Sequence, residues 1–203
     1  NLLRLYERAA RDADLANGLC RLARESFWAH LALFSWTTDN LTPEAFRRPF
    51  NPAFYVRLIS DWADERTPDG RWARPTLLFP KSRQIMLSWW AMARLDWAAQ
   101  RFPGAEIPIV AKNEENAKKI LRRVRDLHEG FPPWWGAFNS VPPPRKSKAP
   151  SETRIDYPNG SYIAALAESG DQIRGMVSPI VLYDEAAFQP HFRDNLGAAL
   201  AFR

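Results

Sequence analysis

The sequence is poor in residues that form covalent or metal cross-links. It contains one cysteine and three histidines among 203 residues. The single cysteine, Cys20, excludes an internal disulfide framework and fits a reducing cytosol. The histidines His30, His128 and His191 are scattered along the chain, so the sequence offers no Cys/His metal motif.

Long apolar runs are also missing. No run approaches the roughly 18 residues that a membrane-spanning helix requires. The N-terminal segment NLLRLYERAARDADLANG is charged throughout and helical in period, which is not the pattern of a secretory signal. Because the first residue is not methionine, we expect the chain to be a fragment of a longer protein.

The composition is that of a folded domain with a basic surface. Hydrophobic residues make up 46% and aromatic residues 13%, which indicates a globular protein rather than a disordered tail. A chain of this length accommodates one α/β domain plus an appendage. The net charge of +5 and the pI near 9.6 suggest an anionic partner, nucleic acid or nucleotide, although this signal is weak alone.

The N-terminal part of the chain has a helical pattern. Apolar residues at spacings of three and four predict helices over residues 1–36 and again over 53–65. Between them, the segment 37–52 predicts a loop with a short helix capped by Thr42.

After Arg74 the pattern changes to alternating strands and helices, which predicts a parallel sheet with right-handed crossovers. The dipeptide Asn159-Gly160, flanked by alternating runs, is the strongest hairpin signal in the chain. The predicted elements are strand 76–79, helix 88–102, strand 107–111, helix 113–130 with Asn113 as its N-cap, a proline-rich basic loop over 131–152, the hairpin over 153–167, and a strand within 178–188.

Two acids follow the last of these strands, in the segment PIVLYDEAAF. Asp184 and Glu185 would lie at the carboxyl edge of the sheet, where α/β proteins bind ligands. In nucleotide hydrolases of this build, the first acid supports Mg²⁺ and the second activates the attacking water. The alternative is an ordinary strand that leads into a helix with an acidic first turn.

The segment PKSRQIMLSWW lies at a predicted strand-to-helix junction and is a candidate phosphate-binding loop. When the phosphate-loop pattern G-x-x-x-x-G-K-[ST] is aligned to end at Ser88, Lys81 takes the first glycine, Met86 the second and Leu87 the lysine. The lysine is therefore displaced to the front of the loop, from which a flexible side chain can still reach a phosphate. The alternative is a generic strand–turn–helix with Ser88 as N-cap.

Together these motifs make residues 51–203 resemble the ATPase domain of phage large terminases, the motors that package DNA into capsids. That family often has a deviant Walker A loop with its lysine at the front, as in KSRQIMLS. It also has a helix like NEENAKKILRRVRDLHEGFP, a hairpin like IDYPNGSYIAALA, then Ile-Arg-Gly and a Walker B strand, which stand here as DQIRGMVSPIVLYDEAAF. The order of NGS, IRG and DEAAF is the specific part of the resemblance.

The resemblance implies a P-loop NTPase fold of the RecA/ASCE type, with a parallel-core sheet flanked by helices, and an ATPase that uses ATP and Mg²⁺. Residues 1–50 would be an N-terminal helical segment and 51–203 the ATPase core, truncated before its end and without the nuclease domain. Ser88 and Asp184 would hold Mg²⁺, Glu185 would be the catalytic carboxylate, and Arg174 would act as an arginine finger on a neighbouring subunit, with a structural salt bridge or a DNA contact as its alternatives. Lys81 and Arg83 would contact phosphates, within a nucleotide-binding loop that also contains Ser82, Gln84, Met86, Leu87 and Ser88.

The implied partners are double-stranded DNA, a portal protein, a small terminase subunit and further copies of the chain in a ring, with no membrane. The expected location is the host cytoplasm, at the procapsid portal. Two basic clusters are candidates for DNA phosphates: one on the helix 113–130, more simply interpreted as a solvated face, and one in the proline-rich loop. The helix cluster consists of Lys118, Lys119, Arg122, Arg123 and Arg125. The loop cluster consists of Arg145, Lys146 and Lys148.

Two rival hypotheses remain open from the sequence. One is a helicase-like DNA-dependent ATPase with a similar core. The other is a degenerate, non-hydrolysing P-loop module for DNA binding or assembly, which the glycine-free loop favours because Met86 resists the backbone angles that glycine permits.

Overall fold

A mostly parallel sheet organises the larger part of the chain. In this computed structural model, β3 (Glu106–Ala111) lies between β5 (Tyr162–Ala167) and β6 (Leu182–Tyr183) and is parallel to both, and β4 (Arg154–Asp156) is antiparallel to β5. The order is therefore β4-β5-β3-β6, a mixed α/β arrangement. The residues described are 2–39, 46–49, 54–74, 76–79, 87–128, 130–141, 144, 151–168, 173 and 175–200.

The central strand is buried on both faces. The side chains of Ile107 and Ile109 are fully enclosed, and those of Val110 and Ala111 are nearly so. A nearly continuous apolar run is what a strand covered on both faces needs. The predicted strand over 107–111 is therefore confirmed.

Helices α5 (Leu87–Arg101) and α6 (Glu114–His128) pack against each other and against β3 and β5. Helix α6 buries its apolar stripe, which includes Ala117, Leu121 and Val124. It begins as predicted, because the Asn113 side chain accepts a hydrogen bond of 2.9 Å from the backbone N–H of Asn116. Both predicted helices are confirmed.

The predicted hairpin is confirmed, and the structure shows what fastens it. Ile155 of β4 lies opposite Ile163 of β5, and Gly160 in the connecting turn has a φ of 81°, which favours glycine. The side chains of Asn159 and Ser161 both donate hydrogen bonds to the Ala99 carbonyl near the end of α5. The Asn-Gly-Ser sequence thus ties the hairpin to a helix terminus that has free carbonyl groups.

The N-terminal residues form helices α1 (Leu2–Ala9), α2 (Ala13–Glu25) and α3 (Phe27–Phe34), as predicted. Phe27 and Leu31 of α3 enter the main core beside α5, together with Val56 of α4. The remaining helices are α4 (Phe54–Asp64), which confirms the prediction over 53–65, and α8 (Phe192–Leu200). The short helix α7 (Trp135–Phe138) lies within the segment 131–152 that was predicted as a loop, so that prediction is wrong at these residues. Over the part of the chain that is described, no helix combines the length and apolarity needed to cross a bilayer.

The segment predicted as a loop after residue 36 contains two strands instead. β1 (Trp36–Asp39) pairs antiparallel with β2 (Phe46–Pro49), so that Thr37 lies opposite Arg48. The adjacent β-branched residues Thr37 and Thr38 favour extended backbone, a signal that the loop prediction overlooked. The short helix expected after Thr42 begins outside the described residues.

The prediction of a buried strand over 76–79 is wrong, because these residues form no ladder with the described strands. Their burial does alternate: Leu78 is 77% exposed, while Leu77 and Phe79 pack against the main core. The segment lies between Pro75 and Pro80, which lack the N–H groups that a ladder requires at its ends. The side chains are therefore held by packing, without backbone pairing to the sheet.

Candidate functional site

The carboxyl ends of three parallel strands meet at one edge of the sheet, here called the carboxyl rim. Glu168 follows β5 and Asp184 follows β6, and their backbone N–H groups donate to the carbonyls of Ala111 and Val110 at the end of β3, each at 3.0 Å. These bonds hold the three strand ends in register. Such a rim is where open α/β sheets bind their ligands.

The acid pair at this rim forms a turn with an unusual backbone. Glu185 has φ 51° and ψ 42°, the left-handed conformation, and it is the non-glycine residue with positive φ in the described part of the chain. Its carbonyl accepts the Phe188 N–H at 2.9 Å, which opens the short 3-10 helix Ala186–Phe188. The Asp184 side chain is half-buried and the Glu185 side chain is exposed. A left-handed glutamate is costly and is typical of functional turns.

The turn is held by a buried glutamine that follows it. The Gln189 side-chain Nε2 donates to the Asp184 carbonyl at 2.8 Å and to the Val110 carbonyl at 3.2 Å. Gln189 is 5% exposed. One amide therefore bridges the ends of β3 and β6 directly behind the acid pair.

Helix α8 is attached to the same rim. The Tyr183 hydroxyl donates to the Asn195 carbonyl at 2.8 Å, and the ring packs edge-on against Phe192 with centroids 5.3 Å apart. Burial raises the pKa of Tyr183 to about 12, so it stays a neutral donor. The Glu168 carboxylate also accepts the His191 N–H just before the helix. The carboxyl ends of β5 and β6 are thus both hydrogen-bonded to the segment around α8.

The predicted nucleotide loop is described only from its last two residues. Leu87 begins α5 and its side chain is buried in the main core, so it would serve an anion through its backbone N–H. Ser88 is the next residue of the helix and is half-buried. The predicted residues Lys81, Ser82, Arg83, Gln84, Met86 and Arg174 lie outside the described residues.

Asp184 and Ser88 have the chemistry that a Mg²⁺-nucleotide site needs. Mg²⁺ takes oxygen ligands and is usually held by one or two carboxylates together with substrate phosphates. Within the described residues no group of three or more His, Cys, Asp or Glu is arranged for a metal, and a site of this kind does not require one. The oxygen donors of Asp184 and Ser88, one carboxylate and one hydroxyl, are of the type that Mg²⁺ takes.

The basic face of α6 is largely engaged within the chain. Lys118 pairs with Glu114 at 2.7 Å, Arg122 pairs with Glu115 at 2.9 Å, and Arg125 donates to the Arg154 carbonyl at 3.0 Å. Lys119 and Arg123 are exposed. These contacts favour the interpretation of a solvated helix face. Arg145, Lys146 and Lys148 lie outside the described residues.

A second polar cluster, which the sequence reasoning missed, lies inside the core around Asp96 of α5. Its carboxylate is fully buried and accepts a hydrogen bond from the Tyr157 hydroxyl at 2.7 Å and one from Gln100 Nε2 at 2.9 Å. The Nε2 atoms of His30 and His128 each lie 3.3 Å from it. The signal was available: Asp96 is an acid inside the apolar run of α5.

Burial and pairing set the protonation of this cluster. Burial opposes ionisation of Asp96, but His128, His30 and the Tyr157 hydroxyl outweigh it and hold the pKa of the Asp96 carboxyl below its usual value. Burial lowers the pKa of His128, with His30 and Arg125 acting in the same direction and Asp96 opposing them. The Nδ1 atom of His128 has no hydrogen-bond partner among the described groups. A neutral His128 that donates through Nε2 satisfies these facts.

Comparison with known proteins adds no family assignment. No protein-family model matches the chain, and the curated proteins contain no significant match.

Proposed function

We propose that the chain is the ATP-hydrolysing motor domain of a viral large terminase, which drives double-stranded DNA into a procapsid. The observation that carries this proposal is the acidic turn: Asp184 and Glu185 directly follow a parallel strand at the carboxyl rim, with Glu185 in the left-handed conformation. The order of NGS, IRG and DEAAF along the sequence supports the same family. A sheet with three parallel strands is compatible with a P-loop NTPase core.

In this proposal the two acids have different roles at the γ-phosphate: Asp184 binds the metal and Glu185 is the general base. Asp184 and Ser88 would hold Mg²⁺, and the ion would supply positive charge against the phosphate oxygens. Glu185 is exposed, and its carboxylate accepts a proton from the attacking water. Lys81 and Arg83 bind the phosphates, and Arg174 acts on the nucleotide of a neighbouring copy in a ring.

The proposed DNA contact belongs to the proline-rich loop rather than to α6. Lys118, Arg122 and Arg125 are already engaged within the chain. Arg145, Lys146 and Lys148 form a basic cluster in the sequence segment predicted as a loop, and a loop can follow a groove. A motor that moves along any sequence contacts phosphates rather than base edges. The portal and the small terminase subunit complete the proposed assembly.

ATP turnover by the full-length protein tests the site. We expect Glu185→Gln and Lys81→Ala each to lower kcat by about 100-fold or more, the scale of a lost general base or phosphate contact. The matched controls Glu25→Gln and Lys119→Ala change exposed residues of the same type on α2 and α6 and should leave kcat unchanged. If Glu185→Gln and Lys81→Ala both hydrolyse ATP like the wild type, the assignment is wrong.

A non-hydrolysing module is the second candidate, favoured by the lack of backbone pairing between residues 76–79 and the described strands. A phosphate loop is normally anchored by the strand that precedes it. Titration of the full-length protein with Mg²⁺-ATP, followed by tryptophan fluorescence, separates the two. Saturable binding without turnover supports the non-hydrolysing module, and binding with turnover supports the motor.

A further inference from the structure

We infer that Gln189 is a positioning residue for the acidic turn, and this inference rests on the proposed ATPase function. Its amide nitrogen donates to two main-chain carbonyls, that of Asp184 at 2.8 Å and that of Val110 at 3.2 Å. The first belongs to the proposed metal-binding residue, and the second to the strand beside it. Gln189 therefore acts on the site through the backbone and touches no reacting atom.

The bonds around Asp184 explain why one side chain has this influence. The Asp184 N–H donates to the Val110 carbonyl at 3.0 Å, and the Asp184 carbonyl accepts from Gln189. Both main-chain polar groups of Asp184 are thereby fixed relative to β3. Removal of the Gln189 amide leaves the N–H bond in place but removes this hydrogen bond to the carbonyl, which is the group that leads into Glu185.

The loss of this hydrogen bond matters because Glu185, the next residue, has a left-handed backbone. A non-glycine residue in this conformation is less stable than a right-handed one, so surrounding contacts must hold it there. The Gln189 backbone N–H donates to the Ala186 carbonyl at 3.1 Å, so Gln189 is bonded to the turn through its main chain as well as its side chain. Without the amide, Glu185 is free to relax, and the direction of its side chain changes with the backbone.

Catalysis is sensitive to such a change because carboxylates act over short distances. A catalytic group must be held within a fraction of an ångström of its productive position by neighbours that are themselves locked. Gln189 is locked, since it is 5% exposed and makes both hydrogen bonds with one nitrogen. The expected signature of its loss is a lower kcat with little change in nucleotide affinity.

The test compares two buried glutamines in the full-length protein. Gln189→Met keeps the length of the side chain and removes the donor. Gln100→Met is the matched control, because Gln100 is 8% exposed and bonds to Asp96 and Asn139 near the end of α5, which leads into the amino end of β3. ATP turnover, KM for ATP, the Mg²⁺ concentration at half-maximal rate and the urea midpoint are measured for each.

We expect Gln189→Met to lower kcat by about 10-fold and to raise the half-saturating Mg²⁺ concentration, as losses of supporting partners around metal sites do. KM for ATP should stay within about 2-fold of the wild type, because the contacts with the nucleotide itself are unchanged. Gln100→Met should lower the urea midpoint yet keep kcat and the Mg²⁺ dependence of the wild type at temperatures where it is folded.

A conservative variant keeps the inference testable if Gln189→Met does not fold. In Gln189→Glu, a buried carboxyl beside two carbonyl oxygens has a raised pKa, and only its protonated form can donate to Asp184. The kcat of Gln189→Glu relative to the wild type should therefore fall as the pH rises. A glutamine that served stability alone would give the wild-type pH profile for the folded enzyme.

The possible outcomes distinguish failure of the positioning role of Gln189 from failure of the proposed ATPase function. If the wild type hydrolyses ATP and Glu185→Gln does not, but both Gln189 variants match the wild type in kcat, Mg²⁺ dependence and pH profile, the positioning role is overturned alone. If the wild type does not hydrolyse ATP, or Glu185→Gln matches it, the proposed function is overturned and the role of Gln189 with it.

Discussion

Replacement of Asp96 by asparagine perturbs the most enclosed polar group of the core. The wild-type carboxylate receives hydrogen bonds from Tyr157 at 2.7 Å and Gln100 at 2.9 Å, and the Nε2 atoms of His30 and His128 approach it at 3.3 Å. These partners come from α3, α5, α6 and the hairpin turn. The cluster therefore connects the N-terminal helix α3 with the hairpin and with the helices that flank the sheet.

The cost of the substitution follows from this geometry. Tyr157 and His128 contact Oδ1, and Gln100 and His30 contact Oδ2. In asparagine one oxygen becomes an NH₂ donor, so two of the partners lose their acceptor and face another donor. Two hydrogen bonds to a charged group are worth about 3–6 kcal/mol. We expect Asp96→Asn to lower the free energy of unfolding by about 3–6 kcal/mol.

Urea unfolding at neutral pH, followed by tryptophan fluorescence, measures this loss. The control is Asp156→Asn, which changes an acid on β4 whose side chain is 63% exposed and pairs with Arg154, and it should leave the urea midpoint unchanged. An Asp96→Asn protein that unfolds at the wild-type urea concentration would refute the reasoning, because the network would then contribute nothing to stability.

Three further predictions follow from burial, charge and the basic loop. Burial lowers the pKa of His128, with His30 and Arg125 acting in the same direction and Asp96 opposing them. The unfolded chain therefore binds a proton below about pH 6.5 that the folded chain does not, so the urea midpoint should fall as the pH drops from 7.5 to 5, and less so in His128→Asn. Ile109→Ala, at a fully enclosed position of β3, should cost about 2–5 kcal/mol in urea unfolding, whereas Leu78→Ala, at a 77% exposed position, should leave the midpoint unchanged; equal losses would contradict the assigned core. Replacing Arg145, Lys146 and Lys148 by alanine should weaken DNA binding and reduce its salt slope by about 3 in a titration of affinity against salt concentration, and the control Lys119→Ala/Arg123→Ala should keep the wild-type slope.

Several parts of the fold were readable from short stretches of sequence. The caps and apolar period predicted α5 and α6, and Asn159-Gly160 predicted the hairpin, because these signals concern residues within a turn or two of one another. The acid pair at a strand end was recognisable for the same reason. Local sequence also misled: the apolar run 76–79 resembles a strand, yet its flanking prolines remove ladder donors, and β1 and β2 pair across a segment predicted as a loop.

The sequence by itself determined helices α1 to α6, the hairpin and the position of the acids after an apolar strand, since each depends on spacing along the chain. Tertiary structure alone decided which strands neighbour one another, that Gln189 lies behind Asp184 and Val110, and that His30 and His128 meet at Asp96. The physical reason is that these contacts join residues up to 79 positions apart, as Val110 and Gln189 are. Their energy depends on enclosure from water, which no local pattern specifies.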